Sequence, residues 1–369
     1  MRRSTFTDWF GKLVAMRGRI AIAVSVLSAF ISANASYASS SARLQDVATA
    51  RETTEPSDKQ LAEARALLEN GRTKDAEPKV REFLAVHPDS ADAHFLMGHI
   101  LFHEIQDDAK AQPGADAADL PGPSNGSRSE RSQDRAKSSL REFTAGAKLR
   151  DPSASDLKVV AFDYVLLGDY ADADKWLTRM LSWTPNDADG WYYLGRAKYT
   201  ENRFDEAVDA FEHALELSPG NVKFEDNLGL AYAGLNRTNE ALAAYKSAID
   251  WQSQSTPKSP APFIDIADLL LDHNRPADAT NYLQQALAIA PNASKAHELM
   301  GKAYVRLDDL PKAQAELERA LQLAPQNKNV HCMLAPLYRK QGQTEKAKFE
   351  SERCSALAGS NSIAETPRP

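Results

Sequence analysis

The chain has 369 residues, 59 of them alanine, with 43% hydrophobic and 26% charged residues, 17 glycines and 2 cysteines. That composition excludes a wholly disordered chain, a disulfide-stapled miniprotein and a four-cysteine zinc site, and it disfavours a large sandwich or barrel. A formal net charge of -7 gives no basic bias toward nucleic acid, and alanine in such numbers favours helix because it loses no side-chain entropy there.

In chain order, Arg2, Arg3, Lys12, Arg17 and Arg19 precede an apolar run from Ile20 to Ile31. Small residues follow, as Ala33-Asn34-Ala35 and Ser36-Tyr37-Ala38. A positive start, a 12-residue apolar core and A-x-A spacing describe a secretory signal peptide over residues 1–38. The run falls short of the roughly 17–25 residues of a spanning helix; the rival reading is an uncleaved inner-membrane anchor over 20–31. Removal of 1–38 takes away those five basic groups and one acidic group, Asp8, leaving a formal charge of -11. The expectation is an exported protein, periplasmic or secreted, touching a membrane only if the N-terminal segment is retained. Residues 39–56 read as a linker.

Beyond that linker one period organises the chain. Ala173, Ala207 and Ala241 are 34 residues apart, as are Ala279, Ala313 and Ala347; Gly195 and Gly229, Pro185 and Pro219, and Pro291 and Pro325 keep the same interval. The clearest unit, 188–221, carries Trp191-x2-Leu194-Gly195, then Ala207-x3-Phe211, Ala214 and Pro219. That spacing resembles the tetratricopeptide repeat. Units fall at 57–90, 91–153, 154–187, 188–221, 222–255, 260–293, 294–327 and 328–361. Their eighth position holds Ala64, Gly98, Ala161, Gly195, Gly229, Ala267, Gly301 and Ala335. Their twentieth holds Ala76, Ser139, Ala173, Ala207, Ala241, Ala279, Ala313 and Ala347. Small residues at both positions predict helix pairs whose backbones approach closely where they cross. Tyr164, Tyr232, Tyr304 and Tyr338 on the first helices, and Phe211, Tyr245, Leu283 and Leu317 on the second, are expected to fill flanking layers. Proline at the thirty-second position ends the second helix, and Asn202-Arg203, Asn236-Arg237, Asn274-Arg275 and Gln341-Gly342 mark the turns. The predicted fold is all-α: a right-handed superhelical solenoid of antiparallel helix pairs over 57–361, because one unit cannot bury its apolar face alone.

Two stretches break the pattern. Residues 104–134, with Gln112-Pro113-Gly114 and Leu120-Pro121-Gly122-Pro123-Ser124-Asn125-Gly126-Ser127, read as a disordered insertion. The Pro-rich stretch 253–262 is expected to bend the array and divide it into two halves. Ser351 stands where earlier units carry Phe, Tyr or Leu, which suits a polar terminal cap, and 362–369 reads as a disordered tail.

Candidate chemistry is sparse. Cys332 and Cys354 fall at the fifth and twenty-seventh positions of the last unit, roughly opposite in a helical hairpin; either a disulfide or two buried thiols fits. His94, His99 and His103 share a helix with Glu104, and the i,i+4 pair His99 and His103 could present two imidazoles to a metal, though no H-E-x-x-H or third ligand is evident. That region carries the alternative reading, a metal-handling or enzymatic envelope protein. No phosphate loop, dinucleotide fingerprint or nucleophile elbow appears; no catalytic residue, metal ligand or cofactor is assigned.

The resemblance implies binding of an extended peptide or helix in a concave groove lined by the first helices. By repeat position that groove takes in Phe162, Tyr192, Arg196, Tyr199, Asp226, Leu230, Asp268, Glu298, Lys302 and Arg306. Tyr192, Arg196 and Tyr199 form its expected hot spot, since aromatics and Arg dominate interface energies. No unit has Asn at its ninth position, so the family's carboxylate-clamp role is not implied. The expectation is a non-enzymatic scaffold or assembly adaptor of the cell envelope, with a protein or peptide partner and no nucleic acid.

Overall fold

Alanine-rich amphipathic stretches punctuated by residues that accept a left-handed backbone dictate short helices joined by tight turns. The computed structural model describes residues 56–110, 126–253 and 258–360. Residues 1–38, nearly all of the linker, the middle of the predicted insertion, the middle of the Pro-rich stretch and the tail lie outside the described residues. Among the described residues there are sixteen helices and no strand. They are α1 (Pro56–Glu69), α2 (Thr73–Val86), α3 (Ala91–Lys110), α4 (Gly126–Ala147), α5 (Ala154–Leu167), α6 (Tyr170–Trp183), α7 (Ala188–Thr200) and α8 (Phe204–Leu217). Then follow α9 (Val222–Gly234), α10 (Thr238–Gln252), α11 (Ala261–Asp272), α12 (Pro276–Ile289), α13 (Ser294–Arg306), α14 (Leu310–Leu323), α15 (Lys328–Lys340) and α16 (Thr344–Ser360). None of the described helices is long and apolar enough to cross a membrane.

The chain forms two compact units, the first ending at Phe83 and the second starting at Leu84. In the first, α1 meets α2 through Ala64, Ala76 and Val80, all fully buried, with Gln60 Nε2 donating to the Lys79 carbonyl at 3.1 Å. In the second, consecutive helices from α3 to α16 pack pairwise as a solenoid.

The turn inside each pair recurs at one repeat position. Gly168, Asn202, Asn236, Asn274, Asp308 and Gly342 all have φ between 55° and 76°. Gly adopts that region freely, and Asn and Asp tolerate it through their short polar side chains. The next residue is often Arg, paired with an acid three residues on: Arg203–Glu206 at 2.5 Å, Arg237–Glu240 at 3.1 Å and Arg275–Asp278 at 2.7 Å.

The small residues work differently from the expected backbone crossing. A Cβ on Gly195 would lie 2.6 Å from Phe211 Cε1, and one on Gly229 2.5 Å from Tyr245 Cε1. The same holds for Gly98 against Phe143 at 2.6 Å and Gly301 against Leu317 Cγ at 2.5 Å. The glycine is therefore a notch that receives a side chain from the second helix, and at Gly301 a Cβ would also lie 3.4 Å from the Ala313 carbonyl oxygen, so the backbones come close there too. Where the eighth position is Ala161 or Ala267, the twenty-fourth position holds Leu177 or Leu283, the residue type that also faces Gly301 as Leu317. Alanines at the twentieth position, such as Ala173, Ala207, Ala241, Ala279 and Ala313, are fully buried. Ser139 takes that position in the interrupted unit, and its hydroxyl donates to the Gly98 carbonyl at 3.0 Å.

Stacking between pairs relies on the first-helix tyrosines. Tyr232 packs against both the first and second apolar clusters, and Tyr304 against the second and third. Tyr232 also donates to Glu212 Oε1 of the preceding unit at 2.6 Å, and Tyr338 to Glu318 Oε1 at 2.7 Å.

Both predicted breaks are smaller than their composition suggests. Helix α3 has 20 residues and α4 has 22, so both ends of the predicted 104–134 insertion are helical. Ile105 and Ala136 are buried there, and Arg135 reaches Glu104 at 3.2 Å and also Asp108; those contacts prolong the pair past its repeat length. Nor does the Pro-rich stretch split the core. Tyr245 of α10 shares one apolar cluster with Phe263 and Ile266 of α11, and Gln252 Oε1 accepts from the Ser259 amide at 2.9 Å.

Candidate functional site

The first helices α7, α9, α11 and α13 lie side by side within the second unit, and all ten groove residues except Phe162, on α5, sit on them. Four of the ten are buried and offer little to a partner. Phe162 is 8% exposed, its ring 4.4 Å from Tyr193 and 5.9 Å from Phe102. Tyr192, expected at the centre of the hot spot, is 1% exposed and stacks on Phe224 at 4.9 Å. Its position faces the neighbouring first helix, so the ring serves inter-repeat packing. Asp226 and Glu298 are also buried, the latter accepting from Asn327 Nδ2 at 2.7 Å.

The other six keep exposed surface. Arg196 lies 5.8 Å over the Tyr192 ring, and half-buried Tyr199 packs edge-on against Phe204 at 5.4 Å. Leu230 is half-buried. Lys302 joins Asp268 at 3.2 Å and Asp272 at 3.3 Å, while Lys295 approaches Asp268 at 3.6 Å. Arg306 is exposed and its guanidinium donates to the Leu271 carbonyl. What remains is a strip of mixed charge with an aromatic and an aliphatic residue, able to contact both side chains and backbone of an extended segment.

One member of this face was missed from sequence. Asp265 on α11 forms a carboxyl pair with Asp226 on α9. Burial, and then the charge of Asp268, push the Asp265 carboxyl up to about 6, against the opposing pull of Asp226 and Lys295. The same pair, after burial, pushes up the phenols of Tyr199 (through Asp265) and Tyr245 (through both). At that repeat position the adjoining units carry Asn227 and Leu299, and others carry Val159, Tyr193 and Met333, so the register alone does not single it out.

The histidine cluster separates into packing contacts. His94 sits between Glu142 Oε2 at 2.7 Å and the Pro88 carbonyl at 2.8 Å. His297 repeats that device between Glu316 and the Pro291 carbonyl, and His331 between Glu350 and the Pro325 carbonyl. Each ties the start of a first helix to its own second helix and to the end of the preceding unit. His99 Nε2 donates to Asp156 Oδ1 at 2.8 Å. Burial works against the Asp156 carboxylate, yet bonds from His99 and Ser153 outweigh it and hold the group below the usual range. His103 packs edge-on against Phe102 at 6.2 Å. Among the described residues no group of three or more His, Cys, Asp or Glu is placed to hold a metal. Cys332 and Cys354 are joined by a disulfide across α15 and α16, with Cα atoms 5.0 Å apart.

A helical array of this period, with notches, turns and tyrosines at fixed positions, defines a repeat solenoid of the protein-binding class. Tetratricopeptide repeat models match residues 61–120, 188–221, 232–303 and 270–335, and the chain belongs to the tetratricopeptide repeat family. It is 27% identical over 140 residues to a protein O-mannosyl-transferase of Mus musculus, covering 35% of this chain and 15% of that one. It is 31% identical over 119 residues to anaphase-promoting complex subunit 3 of Schizosaccharomyces pombe, covering 32% and 17%. A 56-residue stretch is 39% identical to the peroxisomal targeting signal receptor of Saccharomyces cerevisiae, 15% of this chain and 9% of that one. The chain thus spans well under a fifth of the length of these relatives. Among solved structures, a tetratricopeptide repeat protein from Parabacteroides merdae superposes with a TM-score of 0.56 at 13% identity, covering 76% of this chain and 98% of that one. The Cut9–Hcn1 hetero-tetramer superposes at 0.54 and 16% identity, covering 88% and 57%. These likenesses establish the fold.

Proposed function

We propose that this protein is a non-enzymatic scaffold or assembly adaptor of the cell envelope that holds a partner segment along its first-helix face. The observation that carries the binding reading is the strip Arg196, Tyr199, Leu230, Asp268, Lys302 and Arg306, which keeps exposed surface on four adjacent helices while the residues beneath it are buried. A rigid, pre-formed strip lowers the ordering cost of binding, and Tyr and Arg supply the contacts that dominate interface energies. The envelope setting is supported by the basic start, short apolar run and A-x-A spacing of residues 1–38 and agrees with a disulfide-bonded terminal pair. Within the face Tyr199 and Arg196 replace Tyr192 as the expected anchors.

The test is cross-linking in intact cells, followed by purification of the tagged full chain and identification of what is attached. A specific protein retained by the wild type and lost from the Arg196→Ala/Tyr199→Ala variant supports the reading. Undiminished capture by that variant, with the fold intact by circular dichroism, contradicts this face as the binding surface. Cell fractionation with N-terminal sequencing tests the setting separately: an exported chain starting near residue 39 is expected, and a cytoplasmic chain starting at Met1 overturns it.

A further inference from the structure

The terminal pair departs from the four pairs before it in what joins its helices. In α8, α10, α12 and α14 the second helix buries a large residue at its twenty-fourth repeat position and a fully buried alanine at its twenty-seventh. These are Phe211 and Ala214, Tyr245 and Ala248, Leu283 and Ala286, and Leu317 and Ala320. Helix α16 has Ser351 and Cys354 there, neither of them buried. Its only buried described side chains are Ala347 and Glu350, and Ala347 is its sole contribution to the buried core of the last apolar cluster. Alongside the Glu350 contact with His331 and Lys346 over the Tyr338 ring at 5.1 Å, the covalent bond that ties α16 to α15 is Cys332–Cys354. Both cysteines are partly exposed, so a reductant can reach them.

We propose that Cys332–Cys354 is a thiol–disulfide exchange site that governs docking of the terminal helix, with a dithiol as the reductant. In this cap the disulfide replaces the buried apolar lock of the four preceding pairs. Exchange balances as follows. One thiolate of the dithiol attacks a sulfur of the pair, forming a mixed disulfide and releasing the other cysteine as a thiolate. The second thiol of the reductant then resolves the mixed disulfide. The dithiol becomes a disulfide, and Cys332 and Cys354 together gain two electrons and two protons. Without the cross-link α16 keeps, among the described residues, one buried apolar side chain, Ala347, beside polar contacts such as Glu350 with His331 and Lys346 over the Tyr338 ring, less apolar burial than α8, α10, α12 or α14. Its release uncovers the side of α15 around Leu334 and Tyr338, while α3–α14 keep their own locks.

Hydrogen exchange of the full chain, oxidised or treated with dithiothreitol, tests this, with a thiol titration on the same samples. Two thiols should appear on reduction, and amide exchange in α16 should accelerate about tenfold or more while α9–α14 stay unchanged. A Cys332→Ala/Cys354→Ala variant should exchange fast with or without dithiothreitol. Adding Ser351→Leu to that variant rebuilds the Ala335 pairing found at Ala161/Leu177 and should restore protection. Three results would overturn the proposal: failure of dithiothreitol to produce thiols in the folded chain, unchanged α16 protection once two thiols are present, or loss of protection throughout the array.

Discussion

Helix pair α7/α8 and helix pair α15/α16 share one period and one turn geometry, yet they are held together by different means. In the first, Phe211 enters a notch that exists only because Gly195 has no side chain, and Ala207 and Ala214 close around it without exposure. In the second, Ala335 faces a position occupied by Ser351, and a disulfide spans the place where an alanine is otherwise buried. The difference follows from position in the stack. An internal pair is packed on both sides and gains from a complementary apolar lock, whereas among the described residues α16 packs on α15 and, apart from Phe349, turns a mostly polar face outward. A covalent tether stabilises such a helix without requiring a large apolar face.

The contrast can be broken at several points. Phe211→Ala removes a fully buried ring and leaves a cavity, so chemical denaturation should show a loss of about 3–5 kcal/mol; Ser351→Ala, the matching change in the last pair, should be near neutral. Equal losses would mean that the two pairs are locked alike. Cys332→Ala/Cys354→Ala should cost about 3 kcal/mol by the chain-entropy model for a loop of 22 residues. Melting should show that loss confined to a terminal transition. Asp163 gives a change of opposite sign. It is fully buried, and burial, against the opposing pull of Ser139, holds its carboxyl well above the usual range. A raised carboxyl contributes stability at low pH that is lost as pH rises, so Asp163→Ala should stabilise the fold, by about 1–3 kcal/mol. The gain should be larger at pH 8 than at pH 4; a pH-independent loss would show that the carboxyl is satisfied. Smallest is Tyr232→Phe, which removes the bond to Glu212 and should cost about 0.5–1.5 kcal/mol.

Much of this was legible in the residues themselves. The period, the turns at Asn202, Asn236, Asn274 and Gly342, and the pair-by-pair solenoid follow from small residues and punctuators that recur at fixed spacing. The purpose of the glycines was harder to read, because a small residue serves a backbone crossing and a ring notch equally well until its partner is known. Glycine opposite an aromatic ring, as at Gly98/Phe143, Gly195/Phe211 and Gly229/Tyr245, is the signal for a notch, while Gly301 opposite Leu317 departs from a strict size match. The groove was legible as a face but not at the level of exposure. Repeat register fixes the side of a helix that a residue occupies; it does not tell that Tyr192 turns onto Phe224 or that Asp265 meets Asp226, since both depend on the neighbouring unit. The extra turns of α3 and α4 were hidden by the Pro-Gly-rich composition between them.

The notch account is tested most directly by a double-mutant cycle at Gly195 and Phe211, read by denaturant unfolding. Gly195→Ala alone places a methyl group 2.6 Å from the Phe211 ring and should destabilise by about 1–3 kcal/mol. In a Phe211→Leu background, which recreates the Ala267/Leu283 pairing, the same change should cost little, giving a coupling energy of at least about 1 kcal/mol. Strict additivity of the two substitutions would contradict the claim that the glycine exists to admit the ring.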